Sequence, residues 1–279
     1  MTMTRSSLIR RILVYAVMTC TALLTIAPFL LIISTSLKTT DEINIYGPLS
    51  LPHVVHWDNY SRIWEVGKFL TYYKNSVIVT AVVVLFVIVF SLLGAYPFAY
   101  MKFRAKGIFF LIVLWGLTIP LDLIIIPLFN NLKSMGLLNT IWSLILPQIA
   151  MSIPFAIFLL RGFMKDIPNA LLESARMDGS TEMKNLYYII MPMLYAPLVS
   201  LIVFTAIGTW NNFMLPTILI QNDHLRTLPV GLNYFQTKFT MNYPMIATAA
   251  IVSALPAAIT YIVFQRNILS GAMVGALKE

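Results

Sequence analysis

The sequence is poor in charge. Only 11% of its 279 residues are Asp, Glu, Lys or Arg, against roughly 25% in an ordinary soluble domain, and 59% are hydrophobic. One globular core of this length cannot hide that much apolar surface. A second apolar solvent is needed, and the lipid bilayer is that solvent. Cysteine is nearly absent: Cys20 stands alone, which excludes an intrachain disulfide and leaves the redox compartment unreadable. Histidine is scarce too. His53 and His56 are three apart with no Cys or further His beside them, too few ligands for a zinc site, so no metal ligand is assigned. The one Gly-Lys dipeptide, Gly67-Lys68, has Arg62 where a phosphate-binding loop needs its first glycine, and Phe69 follows it. No nucleotide site and no catalytic residue are expected in this chain. The net charge of +8 is scattered between apolar runs and forms no patch, which argues against nucleic acid and fits inside-facing positive charge.

What the sequence has is long apolar runs. Residues 12–37, 75–101, 134–160, 185–222 and 239–265 carry no charged side chain, and 107–132 carries only Asp122. Each exceeds the roughly 20 residues a helix needs to cross the hydrocarbon layer. The runs are continuous and do not alternate, so helices are expected, not a barrel. The reading is an all-α integral membrane protein of about six transmembrane helices. The first run is too long for a signal-peptide core and is expected to be retained. Six crossings place both termini on one side. The N-terminal arm (Arg5, Arg10, Arg11) and the second loop (Lys102, Arg104, Lys106) carry six cations and no acid, so both termini are expected in the cytoplasm. The expected division is a cytoplasmic arm at 1–11, a six-span domain at 12–265 and a cytoplasmic tail at 266–279.

The longest outer segment, 38–74, holds a short amphipathic pattern through Tyr60, Ile63, Trp64 and Phe69, with Asp58 as its cap. Its aromatics (Trp57, Tyr60, Trp64, Tyr72, Tyr73) fit either an interfacial belt or a docking surface for an external partner.

Between the fourth and fifth runs lies a cytoplasmic loop, 161–192. Asp166 and Pro168 fit a helix start, and Leu171, Leu172 and Ala175 form an apolar face with Glu173 and Arg176 elsewhere. Asp178-Gly179 breaks this helix, since glycine accepts the left-handed conformation of a helix end. Ser180 or Thr181 can cap a second helix with Glu182 in its first turn. Met183, Leu186, Tyr187 and Ile190 then face one way until Pro192. The expectation is a helix–turn–helix along the membrane surface.

Within this loop stand Glu173-Ser174-Ala175, three residues, Gly179, nine residues, and Ile189-Ile190-Met191-Pro192. The pattern resembles the signature of binding-protein-dependent ABC importer permeases: Glu-Ala-Ala, three residues, Gly, nine residues, Ile-x-Leu-Pro. Ser174 replaces an alanine and Met191 a leucine. Along the chain, Asn59-Tyr60, Asn75-Ser76, Pro127-Leu128-Phe129, Gly136-Leu137-Leu138-Asn139-Thr140, Leu144-Ile145-Leu146-Pro147, Trp210-Asn211-Asn212-Phe213 and Leu228-Pro229-Val230-Gly231-Leu232 follow in order, as does the tail from Gly271 to Lys278. Together they are similar to the smaller permease subunit of maltose-type carbohydrate importers.

The resemblance implies that the loop (Glu173, Ser174, Ala175, Asp178, Gly179, Ile189, Pro192) docks into a cleft on a cytoplasmic ATPase subunit. It also implies alternating access driven by that ATPase, with ATP and magnesium used by partner subunits and no cofactor bound here. The implied partners are a second homologous permease, two ATP-binding cassette subunits and an extracytoplasmic sugar-binding protein. Two alternatives concern Asp122: it caps a helix restarted after Pro120, or it lines the sugar path. Trp210, Asn211 and Asn212 either line that path or serve helix contacts. The tail either touches the ATPase pair or frays. A polyol or sugar phosphate is an alternative cargo. An ion-coupled secondary transporter is a less favoured class, because it needs intramembrane ionisable groups and has no use for the 173–192 pattern.

Overall fold

The computed structural model describes residues 5–66, 68–235 and 242–276, and the described residues are helices and turns with no strand. Among the described residues, four helices have the length and apolarity to cross a membrane: α1 (Arg5–Ser36), α4 (Phe69–Tyr100), α7 (Trp142–Met164) and the last helix, Tyr243–Ala276. Between the first two lie α2 (Thr40–Tyr46) and α3 (Asp58–Glu65).

The other two apolar runs are broken. The run at 107–132 is split into α5 (Lys106–Trp115) and α6 (Leu121–Ser134). Pro120 sits extended at ψ 141° in the cap position of α6, where its ring and missing N–H stop α5 from continuing. The run at 185–222 forms α9 (Glu182–Met193) and α10 (Tyr195–Trp210), bent by 82°. Pro197 has no N–H to offer the Met193 carbonyl, so the helical ladder is interrupted at the bend. Ahead of α9 comes α8 (Asn169–Met177). After α10 come two short helices, α11 (Met214–Leu219) and α12 (Leu228–Gly231), and then α13, the last helix named above. The first helix begins at Arg5, and α13 runs on past residue 266 to Ala276. The opening residues of the sixth run, 239–241, and the last residues, 277–279, lie outside the described residues.

The chain divides into two compact units, 1–69 with 232–254 and 70–231 with 255–279. In the first, Asn59 donates from Nδ2 to the carbonyls of Ser36 (2.8 Å) and Lys38 (3.0 Å), and the Tyr60 hydroxyl meets Ser36 Oγ at 2.8 Å. Lys38 is fully buried and donates to the Pro48 carbonyl at 3.2 Å and to Ser50. Asp58 does not cap α3: it is the first helical residue, Trp57 holds the cap position, and α3 ends at Glu65 before Phe69.

In the second unit, Val79, Val83, Val87, Leu144, Leu160 and Leu201 lie in one buried apolar cluster that joins α4, α7 and α10. Polar side chains near the expected outer ends fasten the loops to this bundle. Asn75 donates to the carbonyls of His224 (2.8 Å) and Arg226 (2.9 Å), and the Ser76 hydroxyl accepts from Leu228 N–H at 2.8 Å. Asn139, left-handed at φ +60°, accepts from the N–H groups of Gln221 (2.9 Å) and Asn222 (2.8 Å). Gly231 lies so close to Tyr72 that a Cβ would sit 2.3 Å from its ring.

Of the outer aromatics, only Trp57 is widely open, at 69% exposure. Tyr72 is buried, Trp64 packs edge-on to Phe69 at 5.4 Å, and Tyr73 packs edge-on to Trp210 at 5.5 Å. Most of the five are used in packing.

Candidate functional site

The loop 161–192 folds as two helices around a tight turn. α8 starts at Asn169 with Pro168 in the cap position, so Asp166 stands in the preceding turn and is not the cap. It ends in a Schellman turn. Gly179 is left-handed at φ +82°, its N–H bonds the Arg176 carbonyl (3.0 Å), and Ser180 N–H reaches the Ala175 carbonyl (2.9 Å). No atom outside the turn lies within 4 Å of where a Gly179 Cβ would be, so the turn faces open space. Of the two hydroxyls that could begin the next helix, Thr181 does so, accepting from Lys184 N–H at 3.4 Å.

α8 buries one side chain, Leu172, at 1% exposure. Leu171 is 43% exposed and Met177 89%, so the inward face is narrower than the apolar pattern suggested. Glu173, Ser174, Asp178 and Gly179 are exposed and Ala175 half-buried. α9 departs from the α-helical period: Asn185–Ile190 is a π-helical segment. Its wider turn rotates the face inward to Asn185, Leu186 and Ile190, and leaves Met183 and Tyr187 more than 60% exposed. Ile189 is half-buried and Pro192 exposed, just before the bend. The signature residues are thus divided. Glu173, Ser174, Ala175, Asp178 and Gly179 gather on α8 and its turn, while Ile189 and Pro192 belong to the base.

What holds the turn is a set of side chains outside the signature. Arg176 donates to Glu182 from Nε (2.8 Å) and Nη2 (3.1 Å), closing a fork across Gly179. The Tyr96 hydroxyl, on α4, donates to the same carboxylate at 2.5 Å. Bonding from Arg176 first, and from Tyr96 second, holds the Glu182 carboxyl below its ordinary value, and the bond to Glu182 in turn pushes the Arg176 guanidinium up. Next to this, the Tyr100 hydroxyl donates to the Met164 carbonyl at 2.5 Å, and Arg161 Nε donates to the Phe98 carbonyl at 3.0 Å. The Arg161 guanidinium also lies over the Phe110 ring, 3.8 Å from its centre. The loop is therefore tied to α4 by the hydrogen bonds of three side chains, Tyr96, Tyr100 and Arg161. Arg176 and Glu182 are visible in sequence only as charges on a helix. Tyr96, 86 positions from Glu182, carries no local signal at all.

The other candidate residues are scattered. Asp122 is not mid-helix: it stands exposed in the first turn of α6, where the helix N-terminus favours a carboxylate. Trp210 is buried and lines a pocket of about 70 Å³ with Thr80, Ile207, Pro256 and Thr260. Asn211 is exposed beyond the end of α10. Asn212 is occupied structurally, its Oδ1 accepting from Leu215 N–H at 3.1 Å at the start of α11. α6 and α11 share a second, apolar pocket of about 180 Å³ between Ile125, Ile126, Phe129 and Ile218.

Residues 87–269 match the family described as binding-protein-dependent transport system inner membrane component. Among curated relatives, the probable ABC transporter permease protein YurM of Bacillus subtilis is 34% identical over 251 residues, covering 90% of this chain and 83% of the relative. The arabinooligosaccharides transport system permease protein AraQ of Halalkalibacterium halodurans is 31% identical, over 92% of each chain. The diacetylchitobiose uptake system permease protein NgcG of Streptomyces coelicolor is 30% identical over 95% of this chain and 88% of its own. A solved bacterial ABC transporter involved in the import of the acidic polysaccharide alginate has a chain of the same fold, with a TM-score of 0.83 at 22% identity over 95% of this chain and 99% of that one.

Proposed function

Because this chain belongs to the family of binding-protein-dependent transport system inner membrane components, we propose that it is the translocation subunit of an ATP-driven importer for a sugar or oligosaccharide. A multi-pass inner-membrane transport component is what the family is. The carbohydrate is inferred from the relatives, whose names specify arabinooligosaccharides and diacetylchitobiose. The cytoplasmic placement of both termini rests on the loop charges.

The observation that carries the mechanism is the exposed turn at Gly179 backed by the Arg176–Glu182–Tyr96 clamp. A lever needs a free end for its motor and a stiff connection to its load. α8 offers the free end through Glu173, Met177 and Gly179, and the clamp passes a push on α8 to α4 and to the bend below Pro192. The motor in this reading is a pair of ATPase subunits that use ATP and magnesium. A second permease completes the path, and an external sugar-binding protein delivers the cargo. Reversing a conformational equilibrium from 1:99 to 99:1 takes about 5.5 kcal/mol of differential binding, which nucleotide-driven closure has to supply. Asp122 and Trp210 remain the residues we assign to the path. Asn211 is a weaker member of that set, and Asn212 is committed to its helix start.

The test is a cysteine at Met177 in a Cys20→Ser background. Crosslinking to a co-purifying ATPase, altered by nucleotide, is the expected result. Uptake by this chain purified alone would overturn the proposal.

A further inference from the structure

A cleft of about 450 Å³ opens beneath the loop helix, between the end of α4 and α8. Lys102, Lys106 and Arg176 line it with one carboxylate, Glu173, and Arg176 is also paired with Glu182. Lys106 spends part of its donor capacity on the Met101 carbonyl at 2.8 Å. Burial lowers its ammonium below the ordinary lysine value, and the neighbouring charges of Arg161 and Lys165 add to the effect. The volume is many times that of a water molecule, about 30 Å³ in the liquid.

The position of the cleft matters as much as its charge. α4 ends at Tyr100 and α5 begins at Lys106, so these cations stand where crossing helices leave the hydrocarbon layer. From Lys106, α5 climbs with its apolar side chains outward: Ile108, Ile112 and Trp115 are 63%, 55% and 69% exposed. Their spacing of four and three residues puts them on one face of the helix that starts at Lys106 in the cleft. A cationic pocket at headgroup depth, continued by an apolar track, fits an amphiphile with a negative head.

We propose that this cleft binds the phosphate of an anionic phospholipid headgroup, with the acyl chains along α5. Lys102 and Lys106 take the charge. Arg176 is shared between the headgroup and Glu182, so an anionic lipid on the inner leaflet bears on the stiffness of the loop. The proposal requires that the loop face lipid headgroups; it does not depend on which solute is carried.

The experiment uses the transporter purified with its partners and placed in nanodiscs of phosphatidylcholine with or without phosphatidylglycerol. Retained lipid is counted by native mass spectrometry. The wild type is expected to keep phosphatidylglycerol in preference to phosphatidylcholine. Lys102→Gln with Lys106→Gln is expected to lose retention roughly 25-fold, from about 1 kcal/mol per cation near an anionic surface converted at about 1.4 kcal/mol per tenfold. Lys106→Arg, which keeps the charge, is expected to retain the lipid. Should the double variant fail to assemble, Lys102→Gln alone carries the test, with a loss of about fivefold on the same scale. Wild-type retention in the glutamine variants overturns the proposal. So does displacement of the lipid by excess inorganic phosphate, which would assign the cleft to a soluble anion. The readout is lipid count, so its failure is distinct from failure of coupling to an ATPase.

Discussion

Arg176 and Glu182 face each other across the turn at Gly179 and share two hydrogen bonds, of 2.8 and 3.1 Å, while Tyr96 reaches the same carboxylate from a membrane helix. The pair is 40% exposed on each side. Solvent therefore screens it, and its effect on stability is small beside its effect on geometry.

That separation is testable by a double-mutant cycle. Arg176→Ala, Glu182→Ala and the double variant are expected to show a coupling energy no larger than about 1 kcal/mol in unfolding. Sugar uptake per ATP hydrolysed is expected to fall severalfold in each single variant. Uptake efficiency that tracks stability alone would remove the clamp from the transmission path.

Acid should release the clamp. The Glu182 carboxyl is held below its ordinary value, chiefly by Arg176, so its stabilising contribution is complete above the unfolded carboxylate range of about 4.3 and is lost as pH falls through the lowered folded value. A spin label at Met177 is expected to stay immobile from neutral pH down to about 5 and to loosen below the unfolded value near 4.3. Glu182→Gln is expected to be loose at every pH. A step that survives in the glutamine variant would assign the transition to another group.

Gly179 separates backbone strain from bulk. A non-glycine residue in the left-handed region costs roughly 1–2 kcal/mol, and asparagine less. Within this chain a Cβ meets nothing. Gly179→Asn is therefore expected to fold and transport nearly as wild type, and Gly179→Arg to insert and fold but uncouple ATP hydrolysis from uptake. Normal coupling in the arginine variant would contradict a partner seated on this turn.

Gly231→Ala drives a methyl to 2.3 Å from the Tyr72 ring and is expected to destabilise by about 1–3 kcal/mol. Pairing it with Tyr72→Leu should recover part of the loss in a thermal unfolding assay. No recovery would show that Gly231 is needed for something other than this contact.

Asp122→Asn is expected to leave assembly intact and to shift the KM of uptake. Trp210→Ala, which enlarges a small pocket among packed helices, is expected to lower both stability and uptake. Unchanged uptake kinetics for the asparagine variant would take Asp122 out of the path.

Much of the fold was readable from local pattern. The apolar runs, the stop at Gly179 and the Thr181 cap are each set by a few adjacent residues, because helix length, capping and positive φ are short-range properties. The break at Pro120 has the same local origin, although a count of apolar residues passes over it. The inward phase of α9 was not readable: one π-helical segment changes which residues face inward, and composition does not mark where that segment falls.

What only the tertiary structure decided are the polar partners. Asn75 finds its carbonyl acceptors 149 and 151 positions away, and Tyr96 finds Glu182 across 86. A hydrogen bond depends on a few ångströms in space, and nothing in the spacing of either partner encodes that distance. The sequence by itself determined that the chain is a bundle of membrane helices with a turn between two of them. Folding decided which side chains stiffen that turn, because burial selects partners by proximity and not by order along the chain.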